Sequence, residues 1–324
     1  MKPASSLRRL AFAAACVFGV SGNASAQSYP NQDIRLICAF PAGGGADVLV
    51  RYFAEKLRPI VNRTVIVENK AGAGGNIATE YVARAKPDGY TIYVHAGSAV
   101  AANQSLFKKS SVDVLRDIRV AATINRQPFM IMVDAKSPFQ SLKDLTDAML
   151  KKGDKASYGA AATTGTVMAE IYKARTGIKA VEVNYKTATD SLNDQLSGRL
   201  DFTSQDPVYA LAQQREGRLK ILGVSTGKRL EASPELPTMS EQGVEMDLTG
   251  WWAAMVPTGT PKNVIDTING WFVKSVSAPE TKAFLNKFGG DPLIETPEVA
   301  QQRFMKDINT WKEYIKIANI TPQS

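Results

Sequence analysis

An apolar run, residues 34–40, ends at Pro41 and opens into Gly43-Gly44-Gly45 just before a segment with helical periodicity. This succession constrains the fold more than any other feature, because a strand running straight into a helix is the building unit of layered α/β proteins. Consecutive glycines accept backbone dihedrals closed to other residues and carry no side chain to block close approach. The N–H groups of Gly43 to Ala46 are thereby placed to face an anion at a helix start. A small, negatively charged ligand is expected, with phosphate and carboxylate both open at this point.

The same alternation continues along the chain. Val48, Leu49, Phe53, Leu57 and Ile60 recur at helical spacing over residues 47–61, and residues 64–68 read as a strand. A second glycine tract, Gly72-Ala73-Gly74-Gly75, leads into a helix near 77–85, and the turn Pro87-Asp88-Gly89 precedes a strand at 90–94. Further strands are expected at 129–133, 156–158, 180–183, 201–204 and 221–224. Helices are expected from Ser141 and over 166–176, 188–196 and 208–214. Strand and helix in turn predict parallel sheets flanked by helices. Residues 248–256 then read as a strand. Thr260 and Pro261 supply an N-cap and a first-turn proline, and an amphipathic helix over 299–317 closes the chain.

Because the tail opens with a strand, it is placed back in the first lobe. Lobe 1 is then 27–124 with 249–324, lobe 2 is 125–248, and the chain crosses between them near 123–128 and 225–248. A cleft with hinges beneath it is the expected result.

Residues 1–26 read as an export signal, with Lys2, Arg8 and Arg9 ahead of an apolar core and Ala24-Ser25-Ala26 as the cleavage site. That core is about ten residues, too short for a bilayer that takes about 20. Cleavage after Ala26 delivers the mature chain to the periplasm; Sec and twin-arginine export both stay open. Cys16 leaves with the signal, so Cys38 has no intramolecular partner and is expected to be a small buried residue. The signal also removes three basic residues and no acidic ones, taking the formal charge from +8 to +5. Basic residues are scattered among acids without a run or aromatic interleaving, so no nucleic-acid partner is expected.

A lone histidine and one mature cysteine cannot build a zinc site, and no cofactor or metal is expected. The glycine tracts lack the spaced third glycine of a dinucleotide fingerprint. No G-x-S-x-G elbow supports a serine hydrolase. His95, with Ser98 just beyond it, follows the third strand at the end where α/β proteins place ligands. Thr163, Thr164 and Thr166 surround Gly165 at another helix start. Ordinary capping and anion binding both fit that threonine loop.

Ordered segments across nearly the whole mature chain carry a resemblance. They are YPNQDIRLICAFPAGGGADVLVR (29–51), VIVENKAGAGGNIA (65–78), PDGYT (87–91), VNYKTATDSLNDQLSGRLD (183–201), LPTMSEQG (236–243) and GTPKNVIDTIN (259–269). Together they resemble the substrate receptors of tripartite tricarboxylate transporters, the Bug receptors. The resemblance implies a two-lobed periplasmic-binding-protein fold of type II, the Venus flytrap, with a mixed sheet flanked by helices in each lobe. It also implies a monomer that serves a membrane permease and binds di-, tri- or aromatic carboxylates in the cleft. Carried over residue by residue, the ligand loops are Ala42, Gly43, Gly44, Gly45 and Ala46 in one lobe and Ala161, Thr163, Thr164, Gly165 and Thr166 in the other. The chain departs from the family pattern at Ala46, where threonine or serine is usual, and at His95, where a small residue is common. Gln205 is neutral where amino-acid binders tend to carry an acid, although Asp206 is adjacent; this points to a carboxylate without an amino group, aromatic acids included. The alternatives are a receptor serving a membrane histidine kinase and an exported enzyme using Asp47, His95 and Asp206.

Overall fold

The computed structural model describes residues 29–108, 112–160, 163–185 and 188–323. The expected export signal and Ala161 lie outside the described residues.

In the first sheet, β1 (Ile34–Cys38) lies between β2 (Val65–Asn69) and β3 (Thr91–Ala96), parallel to both. Helix α1 (Gly45–Val61) joins β1 to β2, and α2 (Asn76–Ala83) joins β2 to β3. The chain then forms α3 (Gly97–Leu106), a short α4 (Val114–Asp117) and the long strand β4 (Ile118–Gln127). Pro128 and Phe129 lead to β5 (Met130–Asp134), the first strand of a second sheet. There follow α5 (Leu142–Lys152), β6 (Ser157–Ala160), α6 (Thr163–Thr176), β7 (Val181–Asn184), α7 (Ala188–Leu196), β8 (Phe202–Gln205), α8 (Pro207–Arg215) and β9 (Leu219–Val224). The chain returns through residues 225–249 to β10 (Gly250–Pro257), then α9 (Lys262–Val276), α10 (Pro279–Lys287), β11 (Asp291–Pro292) and α11 (Pro297–Ile317).

The two sheets run β11-β4-β10-β3-β1-β2 and β7-β6-β8-β5-β9. Both are mixed rather than parallel throughout. β10 lies antiparallel to β3 and β4, and β5 lies antiparallel to β8 and β9. β10 and β5, the strands that enter each sheet from the other, break the parallel pattern, as does the two-residue edge strand β11, which lies antiparallel to β4. The result is a two-lobed α/β fold with one mixed, helix-flanked sheet per lobe.

Side chains alternate across the first sheet and feed two cores. Leu36, Cys38, Ile92 and Val94 pack on one face with Phe53 and Leu57 of α1 and Phe272 of α9. Ile37, Tyr93, Ala253 and Met255 point to the other face, where Ala101 and Leu106 of α3 and Phe304 of α11 meet them. That second core continues into the other lobe, because α11 packs on α3, β4 and α6 together. Cys38 is fully buried, and burial pushes its thiol up.

α4, α10 and the two-residue β11 were not expected from the sequence, and neither were two more central elements. α3, GSAVAANQSL, is made of small residues buried on most sides, so it shows no amphipathic stripe. β4 is buried along most of both faces and therefore lacks alternation. The expected cap of α9 also shifts by one residue. Pro261 is the N-cap and has no side-chain bond, while the Thr260 hydroxyl turns back to donate to the Pro257 carbonyl at 2.7 Å.

Phe304 is fully buried, with its ring edge-on to Trp251 at 6.3 Å. Phe304→Ala is expected to cost about 3–5 kcal/mol, read as a lower urea midpoint at unchanged slope.

Candidate functional site

Each parallel strand that runs into a helix leaves that helix's first amides without intrahelical partners. At β1 the transition is the loop Phe40 to Gly44. Gly43 turns it with φ +86°. Gly44 is the N-cap of α1 and supplies no side-chain cap; the first helical bond runs from the Val48 N–H to the Gly44 carbonyl at 3.0 Å. The amides of Gly44, Gly45 and Ala46 precede it, in an exposed loop.

The Gly43 amide is not among the free donors, contrary to the sequence expectation. It donates to Asp47 Oδ2 at 2.9 Å. The same oxygen accepts from Arg51 Nε at 2.8 Å, and Asp47 Oδ1 accepts from Asn69 Nδ2 at 2.7 Å. Burial works against ionisation of Asp47, but the bonds from Arg51, Asn69 and Gly43 outweigh it and hold the carboxyl at about 2. Asn69 also donates to the Phe40 carbonyl at 2.9 Å, so the carboxylate network closes the loop from both ends.

In the second lobe, α6 begins at Thr163, with Thr164 half-buried behind it. Gly165 is there because α6 lies against β8: a Cβ on it would sit 2.8 Å from the Ser204 carbonyl oxygen. The Ser204 hydroxyl donates to the Gly165 carbonyl at 2.7 Å. The Thr166 hydroxyl donates to Glu182 at 2.7 Å, so it belongs to the lobe's own structure rather than to a donor set. Asp206 likewise caps α8, accepting from the amides of Val208 and Tyr209 at 3.0 and 3.1 Å. Gln205, at the end of β8, is 2% exposed and its Nε2 has no partner.

β6 and β8 are parallel neighbours, so α6 and α8 start at the same edge of the second sheet. The first lobe meets that edge at Gly45, where a Cβ would lie 3.6 Å from Val208 Cγ1 of α8. The glycine loop, Gln205, Asp206 and the start of α6 thus share one region between the sheets. His95 lies near the end of β3, buried among Phe40, Tyr93 and Trp252, and the Ser98 Oγ accepts from the Trp251 amide at 3.4 Å. Phe40 and Trp252 sit against His95 at ring distances of 5.1 and 5.8 Å and were missed in the sequence, although Phe40 directly precedes the glycine loop. A cavity of about 660 Å³ opens instead at the N-terminal ends of β1 and β3, between Arg35, Glu80, Tyr81 and Asp88. Strand topology places ligands at the opposite, C-terminal ends.

Tripartite tricarboxylate transporter family receptors match residues 49–320 of this sequence. The chain belongs to that receptor family. Protein BugT of Bordetella pertussis is 28% identical over 92% of this chain and 93% of its own length. Among solved structures, R. palustris Rpa4515 with adipate superposes with a TM-score of 0.81 at 27% identity, covering 91% of this chain and 99% of that one. The periplasmic binding protein BugD gives 0.76 at 29%, over 91% and 100%. In this receptor, no three His, Cys, Asp or Glu side chains among the described residues come together to hold a metal.

Two buried groups oppose one another as pH changes. Burial pushes His95 down to about 3. Asp307 on α11 is raised to about 6, by burial first and Asp247 last, against the pull of the Trp251 indole, Arg303 and Lys306. Below pH 6.5 the unfolded chain binds a proton at His95 that the fold refuses, so acid destabilises. Below pH 6 the fold holds a proton at Asp307 that the unfolded chain lacks, down to 3.8, so acid stabilises. Each is worth at most about 1.4 kcal/mol per pH unit, less for the partly exposed Asp307. From pH 7 to pH 5, His95→Gln is expected to lose less melting temperature than wild type, and Asp307→Asn to lose more.

Proposed function

We propose that this chain is an exported receptor that captures a small carboxylate between its lobes and delivers it to a membrane permease of the tripartite tricarboxylate type. The observation that carries the reading is the approach of α1's uncapped start to the second sheet's helix starts, at Gly45 and Val208. One donor set is the amides of Gly44, Gly45 and Ala46; the other is the first-turn amides of α6, with Gln205 Nε2 beside them. Helix starts bind carboxylates through unpaired donors and the helix dipole, without a fixed positive charge. The adipate in the structure of its relative Rpa4515 belongs to the same ligand chemistry.

In this reading, residues 27–124 with 249–324 and residues 125–248 are the closing lobes, and the two crossings are the hinges. The mature protein, cleaved after Ala26, works in the periplasm as a monomer. A binding role without turnover is supported by the state of the groups that acid–base chemistry would draw on. Asp47 is bound on both oxygens, Asp206 caps α8, and His95 is buried and neutral.

Thermal-shift screening against mono-, di- and aromatic carboxylates tests the reading. A ligand at 100 times its dissociation constant adds about 2.7 kcal/mol of stability, so a clear rise in melting temperature is expected. A shift with a sugar or a cation but with no carboxylate overturns it. Gly44→Val is expected to keep the fold, since the nearest atom to a Cβ there is the Pro41 carbonyl oxygen at 3.7 Å. The same change should abolish binding; unchanged affinity moves the site elsewhere.

A further inference from the structure

We propose that Phe40, His95 and Trp252 form a specificity wall that selects a carboxylate built on a flat ring carrying a neutral hydrogen-bonding substituent, and disfavours aliphatic dicarboxylates. The proposal rests on the carboxylate reading above and concerns the part of the ligand beyond the bound carboxylate.

The wall stands beside the glycine loop, three residues before Gly43. Phe40 packs on His95 with ring centroids 5.1 Å apart, Trp252 meets the imidazole edge-on at 5.8 Å, and Tyr93 stacks behind it at 5.1 Å. Phe40 is 38% exposed and lies tilted against Trp252 at 6.1 Å as well; His95 beside it is 1% exposed. Both imidazole nitrogens are buried without a hydrogen-bond partner. Leaving such groups unpaired is costly, so the arrangement calls for a group that can serve a neutral imidazole. A hydroxyl, which both donates and accepts, does so with either tautomer. Room for the imidazole exists because residue 75 is glycine: a Cβ there would lie 2.8 Å from Nε2.

A second carboxylate finds no matching charge on this wall. Among the described residues beside the glycine loop, Arg51 is bonded to Asp47 and Asn69. Lys70 lies 3.9 Å over the Tyr81 ring and 3.7 Å from Glu68. Aromatic faces favour another ring, through offset or edge-on contact.

Calorimetric titration of the mature wild-type protein with 4-hydroxybenzoate, benzoate and adipate tests the wall, alongside His95→Phe and Phe40→Ala checked for folding by circular dichroism. In wild type, benzoate is expected to bind at least tenfold tighter than adipate, and 4-hydroxybenzoate about tenfold tighter again. His95→Phe should erase the hydroxyl advantage while changing benzoate less than threefold. Phe40→Ala should weaken benzoate about tenfold. Tighter binding of adipate than of either ring acid by wild type overturns the inference even if neither variant folds, and leaves the carboxylate reading standing. A hydroxyl advantage that survives in folded His95→Phe overturns it as well. Failure of all three acids to bind, together with failure of every other carboxylate screened, removes both readings.

Discussion

The Asp47 carboxylate is the fixed point on which the ligand end of the first lobe depends. Glycine loops gain access to a ligand at the expense of rigidity, because each glycine enlarges the set of conformations available to the chain. Here a single side chain restricts them. Asp47 takes the Gly43 amide ahead of it, Asn69 from the next strand and Arg51 one turn along its own helix. The bonds join loop, strand and helix, so the remaining amides of Gly44 to Ala46 keep a fixed direction without being consumed. A carboxylate inside the loop also repels any second anion from its inner side, leaving the open side to the ligand.

The proposed recognition by backbone donors fits the modest charge expected of the chain once its export signal is removed. An ammonium or guanidinium in the cleft would attract any anion and would carry its own desolvation cost on closure. Amides at helix starts carry part of a charge, have little water to lose, and are positioned by the fold itself. In the proposed reading, discrimination then has to come from what surrounds them, and Phe40, His95, Trp252 and Gln205 are the residues proposed for it. His95 suits that role because burial keeps it neutral, so its hydrogen-bonding character stays constant across the pH range in which an exposed histidine would switch.

Much of the architecture was legible because strand and helix periods differ, and the strand, glycine, helix unit at residues 34–61 declares itself in apolar spacing alone. Among the elements that escaped, α3 and β4 are buried on most sides, and burial of that kind erases the contrast on which periodicity relies. At the candidate site, the sequence reading overestimated how many of the loops' polar groups are available. The Gly43 amide, the Thr166 hydroxyl and the Asp206 carboxylate are all engaged within the protein. Glu182 comes close to Thr166 only in three dimensions, whereas Asp47 and Asp206 act within four residues, and Asp206 ahead of Pro207 is a helix cap of a kind written in local sequence. Gly165 teaches the same lesson: its lack of a side chain answers the approach of β8.

Closure of a cleft demands crossings that bend without sliding, and Ser225 accounts for this at the junction of the two sheets. It is fully buried where the chain leaves β9. Its amide donates to the Phe129 carbonyl at 3.0 Å and its hydroxyl accepts from the Phe129 amide at 2.9 Å, so the outgoing and returning crossings are stapled side by side. The same hydroxyl donates to the Leu248 carbonyl at 2.6 Å, and the Leu248 amide donates to the Ser225 carbonyl at 2.9 Å. Asp247 next to it holds the Gly227 amide and, through its own carbonyl, the Tyr314 hydroxyl of α11. Asp291 at the far side takes the amides of Glu231 and Ala232. The long return segment is therefore fastened at several points despite its length, and relative translation of the lobes would break bonds at all of them together.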